Sequence, residues 1–183
     1  MIYKILSNDP ALHGQPADKF DFNNPPLDPI ELFENLKETM IANLGVGLSA
    51  PQVGIPYQAF VIGDPHQADS VFSVFNPLIV NSTGYVLMQE SCLTFPGLFI
   101  KMKRPHKIRV RFSGHDGKVG TMPMEGLTAR IFQNQFDHLH GMTFDKRASH
   151  FQLERAKKQK RKLDRIAKGT AKNMPLQFHK YRV

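Results

Sequence analysis

At 183 residues the chain is long enough for one domain with a sizeable core plus an appendage. No apolar run is long enough to cross a bilayer, the opening Met1-Ile-Tyr-Lys4 has no signal-peptide pattern, and a single cysteine excludes an internal disulfide, so the reading is cytoplasmic with no membrane partner. The net charge of +8 is unevenly placed: from residue 146 on, 13 Lys and Arg face 2 Asp and Glu, a net of +11, which leaves −3 for the rest and points to a polyanionic partner for the basic end.

Residues 1–27 read as loop, broken by Pro10, Pro16, Pro25 and Pro26. Asp28-Pro29 then opens a helix: an N-cap Asp, Pro at the first helical position and Glu31 three residues on. Ile30, Leu32, Phe33, Leu36, Met40 and Leu44 give it an apolar stripe, and Gly45 is the expected stop. A Gly- and Pro-rich loop follows at 45–56. Short strands are predicted at Ala59–Ile62, Phe72–Val80, Tyr85–Met88, Leu98–Met102 and Lys107–Phe112, with Gly114-His-Asp-Gly117 as the turn into a return strand. A helix over about Gly126–His140 comes next, stopped by Gly141. Ser149 is placed to cap a last helix reaching about Lys168, with Gly169 as its stop. The expected organisation is a domain over 1–147 and a basic C-terminal helix and tail over 148–183.

Three stretches invite a chemical reading. On the helix ending at Gly141, Asn134 and His138 are four residues apart and share a face, the spacing at which His-Glu-x-x-His motifs grip a metal; here Asn134 and Gln135 stand where such a motif has His and Glu. Cys92 sits in Gln89-Glu-Ser-Cys-Leu-Thr-Phe-Pro-Gly97; a lone cysteine is most often a small buried hydrophobe. The loop Gly45-Val-Gly-Leu-Ser-Ala-Pro-Gln52 is no phosphate loop, because it lacks a closing Gly-Lys-Ser/Thr and follows a helix.

Taken together and in order, Gly45–Gln52, Glu90-Ser-Cys-Leu-Thr94 and Gln133-Asn-Gln-Phe-Asp-His-Leu139 resemble the three motifs of the peptide deformylases, of the bacterial or phage type. Asn76-Pro77, Pro96-Gly97, Arg104 and the Ile108–Gly117 hairpin extend the likeness over roughly the first 145 residues. The resemblance implies an α+β fold, small antiparallel sheets wrapped around the metal-bearing helix. It also implies removal of the formyl group from the N-terminal formyl-methionine of nascent proteins, with formyl-methionyl peptides as substrates.

By position the resemblance makes Cys92, His138 and Asn134 the metal ligands, for iron(II) or zinc with nickel(II) as a further candidate. Gln52 and the Leu93 N–H become the oxyanion hole, and Gln135 takes the place of the proton-moving Glu. An amide cannot accept and return a proton near neutral pH, so Gln135 forfeits a step worth ~10²–10⁴ in rate. Asn134 is a poor partner for a transition metal beside a thiolate, so the metal is expected to be weakly bound or absent and the activity low. A degenerate family member and one disabled by design both fit the replacements. None of His13, His66, His106 and His115 is placed by sequence to supply a missing ligand, and His140 points away from His138. On the substrate side, Gly47 allows close backbone approach, while Met88, Leu127 and Ile131 are expected to line an apolar slot, with Arg130 at its mouth. Glu90, Arg104 and Asp137 are expected to buttress the site. The run Arg155–Lys168 is too one-sided in charge for internal ion pairs to balance. It matches in position and charge the C-terminal helix by which bacterial-type deformylases contact the ribosome, so ribosome or ribosomal-RNA contact is expected; a non-catalytic ribosome- or RNA-binding module keeping the same fold is the alternative.

Overall fold

The computed structural model describes residues 1–7 and 14–172; His13 and the end of the basic tail from 173 lie outside them. The elements run α1 (Pro29–Ala42), β1 (Gly47–Ser49), β2 (Ala59–Ile62), β3 (Phe72–Glu90), β4 (Ile100–Ser113), β5 (Val119–Glu125), α2 (Gly126–Leu139), a short α3 (Phe144–Arg147) and α4 (His150–Lys172). The fold is α+β, but the strands form one five-stranded antiparallel sheet in the order β1-β2-β3-β4-β5 instead of several small ones.

β2 explains the layering. Its four residues, Ala-Phe-Val-Ile, are all buried because the sheet is covered on both sides. Ala59 and Val61 face a cluster with Leu32, Leu36 and Met40 of α1, whereas Phe60 and Ile62 face one with Ala129, Phe132 and Leu139 of α2. Phe60 and Phe132 meet edge to face at 5.1 Å. The two helices thus sit on opposite faces of one sheet.

α1 starts as expected, with the Asp28 carboxylate accepting from the N–H of Ile30 and Glu31. Its stripe is narrower than the sequence suggested, since Ile30 and Leu44 are exposed. The stop also falls earlier. The helix ends at Ala42, Leu44 itself takes the left-handed conformation at φ 51°, and the Gly45 N–H returns to the Met40 carbonyl at 2.9 Å.

Two pairs of predicted strands are fused. Phe72–Val80 and Tyr85–Met88 are parts of β3, because Asn81-Ser-Thr-Gly84 continues the ladder to β4 (Asn81 opposite Arg109, Thr83 opposite Lys107) instead of turning. Gly84 absorbs the irregularity at φ 62°. Leu98–Met102 and Lys107–Phe112 fuse into β4 in the same way, with Pro105 paired to Tyr85. Along β4, Ile100, Met102, Ile108 and Val110 point inward and Lys101, Lys103, Lys107, Arg109 and Arg111 outward; Arg104 is the one guanidinium at an inward position.

α4 begins with the expected cap: the Ser149 N–H donates to Gln152 Oε1 and the Gln152 N–H to Ser149 Oγ. It runs past Gly169 to Lys172, beyond the predicted stop. It is docked at its start, where Leu153 and Ala156 pack with Leu98, Ile100 and Met102 under the loop carrying Cys92. No described helix is long and apolar enough to cross a membrane.

Candidate active site

The three stretches singled out in the sequence meet on one side of the sheet. Gln52 closes a 3-10 turn over Ala50–Val53. The N–H and hydroxyl of Ser49 both donate to Gln52 Oε1, each at 2.9 Å, which leaves the Gln52 amide nitrogen pointing across to Thr94 Oγ1 at 2.9 Å and Cys92 Sγ at 3.4 Å. Cys92 follows the end of β3, half-buried, and its sulfur lies 3.1 Å from Nε2 of His138, which α2 holds almost wholly buried. The thiol and imidazole that the sequence placed 46 positions apart converge.

Next to them on α2, Gln135 Nε2 donates to Asn134 Oδ1 at 3.2 Å, both residues being buried. The other amide atom of Gln135, Oε1, is buried with no hydrogen-bond partner. Among the described residues no three His, Cys, Asp or Glu side chains come together. The donors at this point are one sulfur, one imidazole nitrogen and one amide oxygen already bonded by its neighbour. Catalytic transition-metal sites use three protein ligands and leave one position open. The residues present do not fit such a centre.

Beside this group opens a cleft of about 400 Å³, lined by Leu44–Gly47, Gln89–Leu93, Pro96, Gly97, Phe99, Leu127, Arg130, Ile131, Asn134 and Gln135. Gly47 is placed as expected: a Cβ there would come within 2.9 Å of Ile131 Cγ2 and 3.0 Å of Gln135 Nε2. Leu127 stands exposed at the rim and Ile131 forms the wall. Met88 is not among the lining residues; it lies in the outer half of β3, over a third exposed. The slot wall expected from Met88 is supplied by Phe99 and Leu93.

Arg130 does not rim the mouth. It is buried under the cleft floor, where it donates to the Glu90 carboxylate, to the Met102 carbonyl at 3.1 Å and to the Val86 carbonyl at 2.8 Å. Arg104 grips the same carboxylate in bidentate fashion at 2.6 and 2.9 Å and reaches Asp137 Oδ2 at 2.7 Å; Arg147 takes Asp137 Oδ1 at 2.8 Å. Burial pulls the Arg104 guanidinium down, but the hydrogen bond to Glu90 and the charges of Asp137 and Glu90 outweigh it, so its pKa lies above the ordinary value. This ion network ties β3, β4 and α2 together behind the site, where Glu90, Arg104 and Asp137 were expected to act.

None of the other described histidines lines the cleft. His106 pairs with Glu125, His115 stacks on Phe33 at 4.7 Å and bonds Ser73, and His140 bonds the Phe136 carbonyl. His66 is held in an exposed loop by Asp64. Sequence reasoning missed Ser49 as the residue that orients Gln52, although Ser49-Ala-Pro-Gln52 carries the Ser-x-x-Gln spacing of a capping box. It also missed Leu44 at the mouth, for which nothing in the sequence signals.

Comparison with known proteins agrees with this geometry. The polypeptide deformylase family model matches residues 2–154. Peptide deformylase 1 of Bacillus anthracis is 38% identical over 125 residues, covering 68% of this chain and 80% of that protein. The peptide deformylase of Thermotoga petrophila is 36% identical over 152 residues, covering 81% and 88%. A crystal structure of a peptide deformylase from Legionella pneumophila superposes with a TM-score of 0.81 at 28% identity, over 91% of this chain and 98% of its own. One from Synechococcus elongatus in complex with actinonin does so with 0.76 at 30% identity, over 86% and 85%. The chain belongs to the peptide deformylase family.

Proposed function

We propose that the cleft receives the N-formylmethionyl end of a nascent polypeptide in the cytoplasm and that the metal-dependent hydrolysis characteristic of the family is strongly reduced in this chain. The observation that carries this reading is the Asn134–Gln135 pair at the cleft floor, beside the Cys92–His138 contact. The framework that would place a formyl group is kept: the Gln52 amide held by Ser49 and Thr94, the Leu93 N–H next to Cys92, and the apolar walls of Leu127 and Ile131 beside Gly47. Donors in a low-dielectric cleft stabilise a developing oxyanion whichever nucleophile attacks. What is missing is the third metal ligand and a side chain able to take and return a proton.

The test is the double reversion Asn134→His/Gln135→Glu beside the unchanged chain. The reverted protein is expected to take up one iron(II) or zinc per chain and to deformylate a formyl-Met peptide at least ~10²-fold faster, the lower bound for a restored acid–base group. Equal rates in the two proteins would overturn the reading.

A second reading, a ribosome- or RNA-binding module that does no chemistry, is favoured by one specific observation. Arg155, Lys158, Arg161, Lys162 and Arg165 line one exposed surface of α4, away from its docked residues Leu153 and Ala156. In this division residues 1–147 hold the peptide end and residues 148–183 meet the polyanion. No peptide binding and no rate in either protein, with retained ribosome co-sedimentation, would leave this reading standing alone.

A further inference from the structure

The donor set that falls short of a three-ligand metal centre is complete as something else. We propose that Cys92 is a nucleophile and His138 its proton acceptor, a thiol–imidazole pair that takes the acyl group of an N-formyl peptide or of an activated ester onto sulfur. That formyl peptides are donors rests on the function proposed above; the nucleophile itself does not.

The geometry has the parts such chemistry requires. Sγ of Cys92 and Nε2 of His138 are 3.1 Å apart, within hydrogen-bond reach for a sulfur. Cys92 is half-buried and forms part of the cleft wall, so a ligand in the cleft can reach it. The Gln52 amide nitrogen stands 3.4 Å from that sulfur, its oxygen pinned by Ser49 and its nitrogen by Thr94. A carbonyl carbon bonded to Sγ would carry its oxyanion within the span of that donor. Gln135 lines the same cleft, nine-tenths buried, and its Oε1 meets no donor, an acceptor left for the N–H of a bound acyl amide. Gln135 also brings no negative charge to oppose a thiolate. The nearest acid in the cleft wall, Glu90, is held by Arg104 and Arg130.

The steps balance without an added redox partner. The thiol proton passes to His138 Nε2 as Sγ forms a bond to the acyl carbon. The C–N bond, or the C–O bond of an ester, then breaks, and the leaving group takes that proton. Water attacks the S-acyl thioester, giving its proton to His138, and the C–S bond breaks to return the thiol and release the acid, formate from a formyl peptide.

The test uses the full chain after chelator treatment, at one fixed pH, with p-nitrophenyl acetate and a formyl-Met-Ala-Ser peptide. Because the chain holds a single cysteine, any thioester is located without ambiguity. The expected result is a burst of one equivalent of nitrophenolate per chain with the acetyl group on the Cys92 peptide, absent from Cys92→Ser and at least ~10²-fold slower in His138→Gln. Circular dichroism checks that both variants fold, and the intact-mass shift of the unchanged chain is a readout that needs no variant. No burst from the unchanged chain, or the same burst in His138→Gln, overturns the proposal. Acylation by the ester, with no binding of the formyl peptide, supports the nucleophile and sinks the substrate reading instead. Formyl-peptide binding with Cys92 left unacylated by either reagent sinks the nucleophile alone.

Discussion

Asn134 and Gln135 show how near in shape two side chains can be to His and Glu while removing their chemistry. An amide keeps hydrogen bonds, so the pair satisfies itself and the helix stays packed, but it neither ligates a transition metal well nor shuttles protons. Their neighbours carry more of the stability. Arg104 is buried against Glu90 and Asp137, so Arg104→Met strands two carboxylates and is expected to cost about 3–5 kcal/mol in urea unfolding. Arg130→Met leaves Glu90 its bidentate partner and strips donors only from the Val86 and Met102 carbonyls, so roughly 1–3 kcal/mol is expected. Equal losses for the two would mean that Arg104 is not the keystone. At Gly47 the issue is space. A Cβ would press on Ile131 and Gln135, and Gly47→Ala is expected to weaken formyl-Met peptide binding about tenfold, or ~1.4 kcal/mol, in a titration while the melting temperature moves little.

Elements were legible where a local rule settles them. The α1 cap, the bounds of β2, the turn at Gly114–Gly117 and the start of α2 were all readable from spacing and turn residues. The fusions within β3 and β4 were not, because Asn81-Ser-Thr-Gly84 and Arg104-Pro105 carry turn-like residues that cross-strand pairing overrides. α4 is the element where packing changes an expectation most. Its charge pattern suggested a solvated tail, yet Leu153 and Ala156 belong to the cluster beneath Cys92 and Phe95. Deleting the whole helix would therefore disturb the site along with any surface it offers. Ala156→Asp places a charge in that cluster and is expected to cost about 2–3 kcal/mol and to raise hydrogen exchange over residues 92–98; unchanged exchange there would show the helix to be dispensable to the loop.

On the scale of the whole molecule, charge and chemistry are segregated: an acidic body with a cleft, and a basic helix end with an exposed cationic surface. If that surface meets RNA, Lys158→Gln/Arg161→Gln/Lys162→Gln/Arg165→Gln should lower ribosome co-sedimentation and flatten its salt dependence by about 0.7–0.9 logarithmic units per contact removed, with formyl-peptide binding unchanged. A slope identical to that of the unchanged chain would place the contact elsewhere. The order of three short motifs, the charge asymmetry and the periodicities of α1 and α2 suffice for family and fold class, since each depends on residues near one another in the chain or on composition. Bringing Cys92 to His138, excluding Met88 from the cleft, sinking Arg130 onto Glu90 and docking α4 under the site loop all depend on contacts between positions far apart in sequence. Those contacts arise when strand register and helix packing are set together, and spacing along one chain does not encode them.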